Sequence, residues 1–163
     1  RIRRHFEKRT SVSLLSPARI MAAMNEELRA LDTGKHLTVF CGVIDVNLQT
    51  LTYAVGAHYP PPILCNGNEV MQLAGSGLPL GLFPGAKYEE HVVALQQRFS
   101  LVAASDGILE ILPASDLVAK EALLREEVAA ADGQLDVLVE RLGLPLVRDV
   151  PDDIALLMIQ RDE

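Results

Sequence analysis

A block of short apolar segments between Thr38 and Leu73, separated only by short connections, constrains the fold most strongly. The segments are residues 38–46, 50–56, 63–65 and 70–73. Asn66-Gly67-Asn68 between the last two is typical of a hairpin, because Asn and Gly tolerate positive φ. Parallel strands need a crossover of about a dozen residues or more, for which this block has no room. We therefore predict antiparallel strands, and the near-continuous apolar character of 38–46 predicts a strand covered on both faces.

Helical patterns lie on either side of this block. Ser16-Pro17 is typical of a helix start, and apolar residues at helical spacing follow it as far as Gly34. Further helices are predicted from near Ser115 and over 135–142, and further strands over 91–95, 99–104 and 154–160. Strands grouped apart from helices predict an α+β class with layered antiparallel sheets, in a single domain over residues 1–163.

Charge and composition exclude several classes of protein. The net charge is −7, from 15 basic and 22 acidic residues, which disfavours nucleic acid as a partner. No apolar run approaches about 18 residues, so we predict no membrane-spanning helix. The cysteine usage predicts a cytoplasmic protein. Cys41 and Cys65 lie far apart without a Cys-x-x-Cys pattern, which predicts buried thiols rather than a disulfide or a zinc site.

The first residues differ from the rest in charge. Five of the fifteen basic residues lie at positions 1, 3, 4, 8 and 9. They are either the solvent face of a helix that began upstream or a contact surface for another domain or an acidic partner. Since the chain does not begin with Met, we expect a piece of a longer protein, with residues 1–10 as the remnant of an upstream helix.

Acidic residues stand at the ends of two predicted strands. Asp106 and Gly107 follow the apolar strand 99–104, and Asp152 and Asp153 precede the strand 154–160. Each pair is either a polar turn or part of a site. Carboxylates that converge repel each other unless a divalent cation lies between them, and such ions activate water and neutralise phosphate charge.

Three other features leave alternatives open. His58 is either a structural histidine or part of a site, and Glu110 is either a local hydrogen-bond acceptor or a ligand. The glycine-rich loop 75–85 either cradles a phosphate through its N–H groups or makes a structural turn.

Four segments match, in order, the motifs of one known family. Ser105-Asp106-Gly107-Ile108-Leu109-Glu110 matches Thr-Asp-Gly-x-x-Glu, and Asp152-Asp153-Ile154-Ala155-Leu156-Leu157 matches Asp-Asp-Ile-Thr-Leu-Leu. Tyr53-Ala54-Val55-Gly56-Ala57-His58-Tyr59-Pro60-Pro61-Pro62 is similar to Tyr-Ala-Asn-Ala-Gly-His-x-Pro-Pro, and Gly77-Leu78-Pro79-Leu80-Gly81-Leu82 to Gly-x-Pro-Leu-Gly-Leu. The chain thus resembles the bacterial metal-dependent serine/threonine phosphatases of the PPM superfamily, in their sporulation-phosphatase branch.

The resemblance implies a fold, a cofactor and site residues. The fold is an αββα sandwich of antiparallel sheets, and two Mn²⁺ or Mg²⁺ ions are expected in the complete domain. Asp106 and Asp152 are the implied catalytic residues, and metal contacts are implied for Asp106, Gly107, Asp152 and Asp153. Of the closing pair, Asp152 matches the ligand, while Asp153 matches a position that other branches fill with Asn.

The chain departs from the family's pattern at three places. No Asp-x-Ser-Gly-His-Gly motif, which carries the family's first metal ligand, is present, so we expect the chain to begin just after it. Ala155 stands where the family has Thr, and Gly56-Ala57-His58 stands where the family has Ala-Gly-His. The first departure is expected either for a domain truncated at its N-terminus or for a degenerate phosphatase, and the sequence leaves both open.

Two functions follow from the resemblance. The first is a phosphatase in bacterial signal transduction or stress response, acting on phosphoserine or phosphothreonine of a regulatory protein such as an anti-sigma-factor antagonist. A receiver or sensor domain would precede it, as in an RssB-like response regulator, and a homodimer is compatible with this. The second function is a catalytically inactive binding module, an adaptor or a sigma-factor regulator.

Overall fold

The computed structural model describes residues 16–148 and 152–162. These residues divide into two compact units, one of residues 16–58 and 75–94 and the other of residues 59–74 and 95–162. The basic residues at positions 1–9 and the expected helix remnant lie outside the described part. Both units combine helices with antiparallel strands, so the predicted α+β class is confirmed.

The first unit contains one helix and a three-stranded sheet. Helix α1, Pro17–Arg29, begins as predicted, because the Ser16 side chain accepts a hydrogen bond from the N–H of Arg19 and Pro17 occupies the first turn. Strands β1 (Val39–Asp45), β2 (Thr50–Gly56) and β5 (His91–Ala94) pair in the order β1-β2-β5, all antiparallel. Met21 of α1 forms a buried cluster with Ala54, Leu80, Ala86 and Tyr88.

Two predictions about this unit are wrong in detail. Helix α1 ends at Arg29 rather than near Gly34, since the N–H groups of Leu31 and Asp32 bond to carbonyls only three residues back. Strand β1 is not covered on both faces, because each of its residues is half-buried or exposed. Its β-branched residues therefore reflect strand preference at a sheet edge rather than a position in the core.

The second unit holds a four-stranded sheet and three helices. Strands β3 (Ile63–Asn66), β4 (Glu69–Gln72), β6 (Phe99–Ala104) and β7 (Leu156–Arg161) pair antiparallel in the order β4-β3-β6-β7. The hairpin of β3 and β4 forms as predicted, with Gly67 at φ +62° in its turn. The helices are α2 (Gly107–Ile111), α3 (Leu117–Ala130) and α4 (Leu135–Arg141), and a short 3₁₀ turn follows at Leu144–Leu146.

The core of the second unit lies between its sheet and its helices. Strand β6 occupies the middle of the sheet, and five of its six residues are buried. Helix α2, which directly follows β6, packs against the same core. The end of β6 therefore has buried residues both before and after it in the chain. The buried core residues are Ile63, Val102, Ala104, Ile108, Leu109, Leu112, Leu124, Val128, Ala131, Leu138 and Leu142.

Helix α3 begins later than predicted. Asp116 rather than Ser115 caps α3, by accepting a hydrogen bond from the N–H of Ala119.

The two cysteines are less buried than predicted. Cys41 and Cys65 are free but only half-buried, and burial raises the pKa of both thiols. Within the described ranges, no helix has both the length and the apolar character needed to cross a bilayer.

Candidate active site

Asp106 stands where strand β6 gives way to helix α2. It is the cap residue of α2, with φ −60° and ψ −27°, yet its side chain makes no capping hydrogen bond. Its carboxylate is exposed, whereas Gly107, Ile108 and Leu109 after it are buried. The buried neighbours hold the backbone of Asp106 in place and leave the carboxylate open to a ligand.

Asp152 and Asp153 stand just before strand β7. Both are exposed, and the Asp152 carboxylate accepts a hydrogen bond of 2.8 Å from the N–H of Asp153. Strand β7 begins at Leu156 rather than at Ile154 as predicted, because antiparallel pairing with β6 stops at Ala104 opposite Leu156. The two residues that precede β7, Ile154 and Ala155, therefore belong to the loop that carries the aspartates.

The structure brings the two acidic segments together at the backbone. A Cβ atom added to Gly107 would lie 2.5 Å from the carbonyl oxygen of Asp153 and 3.1 Å from that of Asp152. Such a separation is shorter than van der Waals contact, so only glycine allows the two segments to approach this closely. The predicted convergence of the two strand tips thus has a geometric basis in Gly107.

Ser105 links the same two segments, and sequence reasoning missed it. Its hydroxyl donates to the carbonyl oxygen of Asp153 at 2.9 Å and accepts from the N–H of Ala155 at 2.8 Å. Its own N–H donates to the carbonyl oxygen of Ala155 at 2.9 Å. The motif Ser-Asp-Gly contained this residue, but no pattern in a single sequence indicates which hydroxyl bridges two distant segments.

The donors at this site suit a hard divalent cation in kind. Carboxylates of Asp106, Asp152 and Asp153 and backbone carbonyl oxygens nearby are the ligands that Mg²⁺ and Mn²⁺ prefer. These donors supply only part of a coordination shell, because the described residues contain no group of three or more His, Cys, Asp or Glu placed to hold a metal. Glu110 is exposed one turn further along α2 and does not complete such a group.

The glycine-rich loop 75–85 uses its N–H groups within the protein. The N–H of Gly81 donates to the amide oxygen of Asn25 at 2.8 Å, and that of Gly85 to the carboxylate of Glu26 at 3.0 Å. The N–H of Leu80 pairs with the carbonyl of Leu37. Of the two interpretations of this loop, the structural turn is therefore the one that its hydrogen bonds support.

His58 belongs to an aromatic group of the first unit. Its ring lies 6.3 Å from that of Phe40, and Phe40 stacks on Tyr53 at 5.4 Å. These contacts support the structural interpretation of His58.

A cavity of about 180 Å³ lies elsewhere in the second unit. It is lined by Phe99 and Ser100 at the start of β6, whereas Asp106 follows the end of that strand. An ion pair of 2.7 Å between Arg98 and Asp132 borders it. The cavity is thus distinct from the acidic site.

Comparison with known proteins places this geometry in context. A family model described as Stage II sporulation protein E (SpoIIE) matches residues 2–162. No curated protein sequence matches the chain significantly.

Several solved structures share the fold. The RsbU and RsbW domains of a Mycobacterium tuberculosis protein match with a TM-score of 0.73 and 23% identity, over 99% of this chain and 46% of that one. The PP2C phosphatase domain of SpoIIE from Bacillus subtilis, with a fragment of its regulatory domain, matches with a TM-score of 0.74 and 18% identity, over 98% and 47%. The SiaA-PP2C domain of Pseudomonas aeruginosa matches with a TM-score of 0.69 and 20% identity, over 99% and 66%. The chain therefore spans about half the length of the first two.

Proposed function

The chain belongs to the SpoIIE family of PP2C-type phosphatase domains, and on that premise we propose that it hydrolyses phosphoserine or phosphothreonine on a regulatory protein. The observation that carries the proposal is the backbone contact between Gly107 and the Asp152–Asp153 segment. It sets the exposed carboxylates of Asp106 and Asp152 at the ends of adjacent strands.

Asp106 and Asp152 are the proposed catalytic and metal-binding residues, and Asp153 and Gly107 are proposed to contact the metal as well. Support comes from the oxygen donors and from the absence of a capping role for the Asp106 carboxylate. When bound, Mn²⁺ or Mg²⁺ supplies activation of water and neutralisation of phosphate charge. The aspartates would hold the cation, and the backbone of β6 and α2 would fix their position.

The nucleophile is proposed to be water rather than a side chain. The hydroxyl nearest the aspartates in sequence, that of Ser105, already donates to Asp153 and accepts from Ala155. A hydroxyl whose partners among the described residues are a carbonyl oxygen and a backbone N–H, rather than a base, is poorly activated for attack on phosphorus.

A phosphorylated protein is the proposed substrate. Asp106, Asp152 and Asp153 are all exposed, so a phosphorylated side chain on a protein surface could reach them without entering a deep cleft. On the family resemblance, an anti-sigma-factor antagonist is the proposed kind of substrate, and a receiver or sensor domain in the parent protein is the proposed input. Cytoplasmic signalling is the proposed setting.

The test is release of phosphate from a phosphoserine protein by the full-length parent protein, with and without Mn²⁺. Asp106→Asn should abolish Mn²⁺-dependent release and leave the circular dichroism spectrum unchanged. Glu110→Gln is the matched control, because it removes an exposed carboxylate one turn away, and it should retain activity.

Two results would contradict the proposal. Full activity of Asp106→Asn would remove its metal role. Absence of both turnover and Mn²⁺ binding in the wild-type parent would leave the inactive binding module as the function.

A further inference from the structure

We propose that Ser105 is a positioning residue, whose hydroxyl holds the Asp152–Asp153 segment against Asp106–Gly107, the two segments that carry the proposed metal ligands. The expected effect on metal binding rests on the proposed function, whereas the positioning itself rests on the hydrogen bonds of this chain. Ser105 would not touch the metal or the substrate.

The regular ladder between β6 and β7 ends next to the acidic segments. Strands β6 and β7 pair regularly as far as Ala104 opposite Leu156. The next pair is Ser105 and Ala155, which lies at a hydrogen-bonded position of the ladder, where the two residues of a regular antiparallel pair exchange two backbone hydrogen bonds. One of them is present, from the N–H of Ser105 to the carbonyl oxygen of Ala155 at 2.9 Å.

The second hydrogen bond of that pair is made by a side chain. The carbonyl oxygen of Ser105 instead accepts from the N–H of Ile108 at 3.2 Å, at the first turn of α2. The N–H of Ala155 therefore lacks its regular acceptor, and the Ser105 hydroxyl takes that role at 2.8 Å. A short polar side chain that replaces a backbone partner in this way is a known alternative to a regular ladder.

The same hydroxyl also extends the contact to the aspartates. It donates to the carbonyl oxygen of Asp153 at 2.9 Å, which is the oxygen that lies closest to the Cβ position of Gly107. One atom thus joins the residue before Asp106 to the residue after Asp152. Removing it would leave the N–H of Ala155 and the carbonyl of Asp153 without these partners.

Ala155 contributes to the arrangement through its backbone alone. Its N–H donates to the Ser105 hydroxyl, its carbonyl oxygen accepts from the Ser105 N–H, and its side chain is exposed. The difference from the family's Thr at this position therefore leaves the bridge intact.

Ser105→Ala, Ser105→Thr and Ser76→Ala test the inference in the full-length parent protein. Thr keeps a hydroxyl, and Ser76 is an exposed serine of the loop between β4 and β5 that serves as the matched control. Two quantities are measured, the Mn²⁺ dissociation constant by electron paramagnetic resonance of free Mn²⁺, and hydrogen exchange of the Ala155 amide.

We expect Ser105→Ala to weaken Mn²⁺ binding by about 10- to 100-fold, the range found for residues that orient metal ligands. The Ala155 amide should exchange faster in this variant, while Ser105→Thr restores both quantities and Ser76→Ala changes neither.

The outcomes separate this inference from the proposed function. If wild-type protein binds Mn²⁺ and Ser105→Ala binds it equally well, the positioning role is wrong and the phosphatase proposal stands. If wild-type protein binds no Mn²⁺, the phosphatase proposal fails, but hydrogen exchange of the Ala155 amide still tests whether the Ser105 hydroxyl joins the two segments. Unchanged exchange in Ser105→Ala overturns that positioning role, and faster exchange supports it.

Discussion

The position of a Cβ atom on Gly107 lies 2.5 Å from the carbonyl oxygen of Asp153, closer than any side-chain carbon can approach a backbone oxygen. The two atoms belong to the turn after β6 and to the loop before β7, so glycine at 107 sets the separation of the two acidic segments. The backbone on the Gly107 side cannot give way easily, because Ile108 and Leu109 beside Gly107 are buried in the core.

Gly107→Ala should therefore separate the acidic segments. We expect the free energy of unfolding to fall by about 1–3 kcal/mol, as for other overpacked sites, and Mn²⁺ affinity to fall with it. Urea unfolding and Mn²⁺ titration measure the two effects. Gly42→Ala is the control, since its nearest neighbour is the flexible end of Leu51 at 3.1 Å, and wild-type Mn²⁺ affinity in Gly107→Ala would refute the prediction.

Asn25 is a fully buried polar residue on helix α1, and its loss should destabilise the first unit. Its amide accepts from the N–H of Gly81 at 2.8 Å and donates to the carbonyl oxygen of Phe83 at 2.9 Å. Asn25→Ala leaves both backbone groups without these partners, so the free energy of unfolding should fall by roughly 2–4 kcal/mol. Chemical denaturation checks this value.

An exposed asparagine provides the control for that measurement. Asn47 lies in the turn between β1 and β2, and Asn47→Ala should change stability by less than about 0.5 kcal/mol. Equal stability of Asn25→Ala and Asn47→Ala would show that the loop 75–85 does not depend on Asn25.

Much of the architecture could be predicted because its signals are local. Gly67 between Asn66 and Asn68 indicates a hairpin through its positive φ, and Ser16-Pro17 indicates a helix start through a cap and a fixed φ. Each of these features needs only a few adjacent residues. The elements in question formed where the patterns placed them, with differences of a few residues at the ends.

The features that escaped prediction depend on distant partners. Ser105 and Ala155 are fifty residues apart in the chain, and Asn25 and Gly81 are fifty-six apart. Nothing near Ser105 distinguishes it from any other serine at a turn, and Asn25 interrupts an apolar helix face without indicating why. The pairing of the Asp106 and Asp152 segments was inferred through family resemblance, since single-sequence patterns left both as possible turns.

Tyr59 should titrate well above an ordinary phenol. Burial, followed by its hydrogen bond to the carboxylate of Glu121 and by the charge of that carboxylate, raises the pKa of Tyr59 from 10.0 to about 12. Because the folded pKa is the higher one, the stabilisation is complete below pH 10 and is lost as pH rises through about 12. The urea midpoint should therefore fall over this interval, and less so in Tyr59→Phe.

Glu121→Gln separates the contribution of charge from that of burial. The variant keeps a hydrogen-bond acceptor and removes the negative charge, so the pKa of Tyr59 should fall back towards 10 while staying above it. Nuclear magnetic resonance of ring-labelled tyrosine follows the phenol directly. An unchanged Tyr59 pKa in Glu121→Gln would show that the carboxylate does not act on it.

Ala155 should tolerate a change of side chain but not a change of backbone. Its N–H donates to the Ser105 hydroxyl and its carbonyl oxygen accepts from the N–H of Ser105, while its side chain is exposed. Ala155→Thr should thus keep Mn²⁺ affinity and alter stability by less than about 0.5 kcal/mol. Ala155→Pro removes the N–H donor, so it should cost roughly 1–3 kcal/mol of unfolding free energy and weaken Mn²⁺ binding. Denaturation and Mn²⁺ titration of both variants decide the matter, because equal behaviour of Thr and Pro at position 155 would mean that the backbone of this loop does not hold the aspartates.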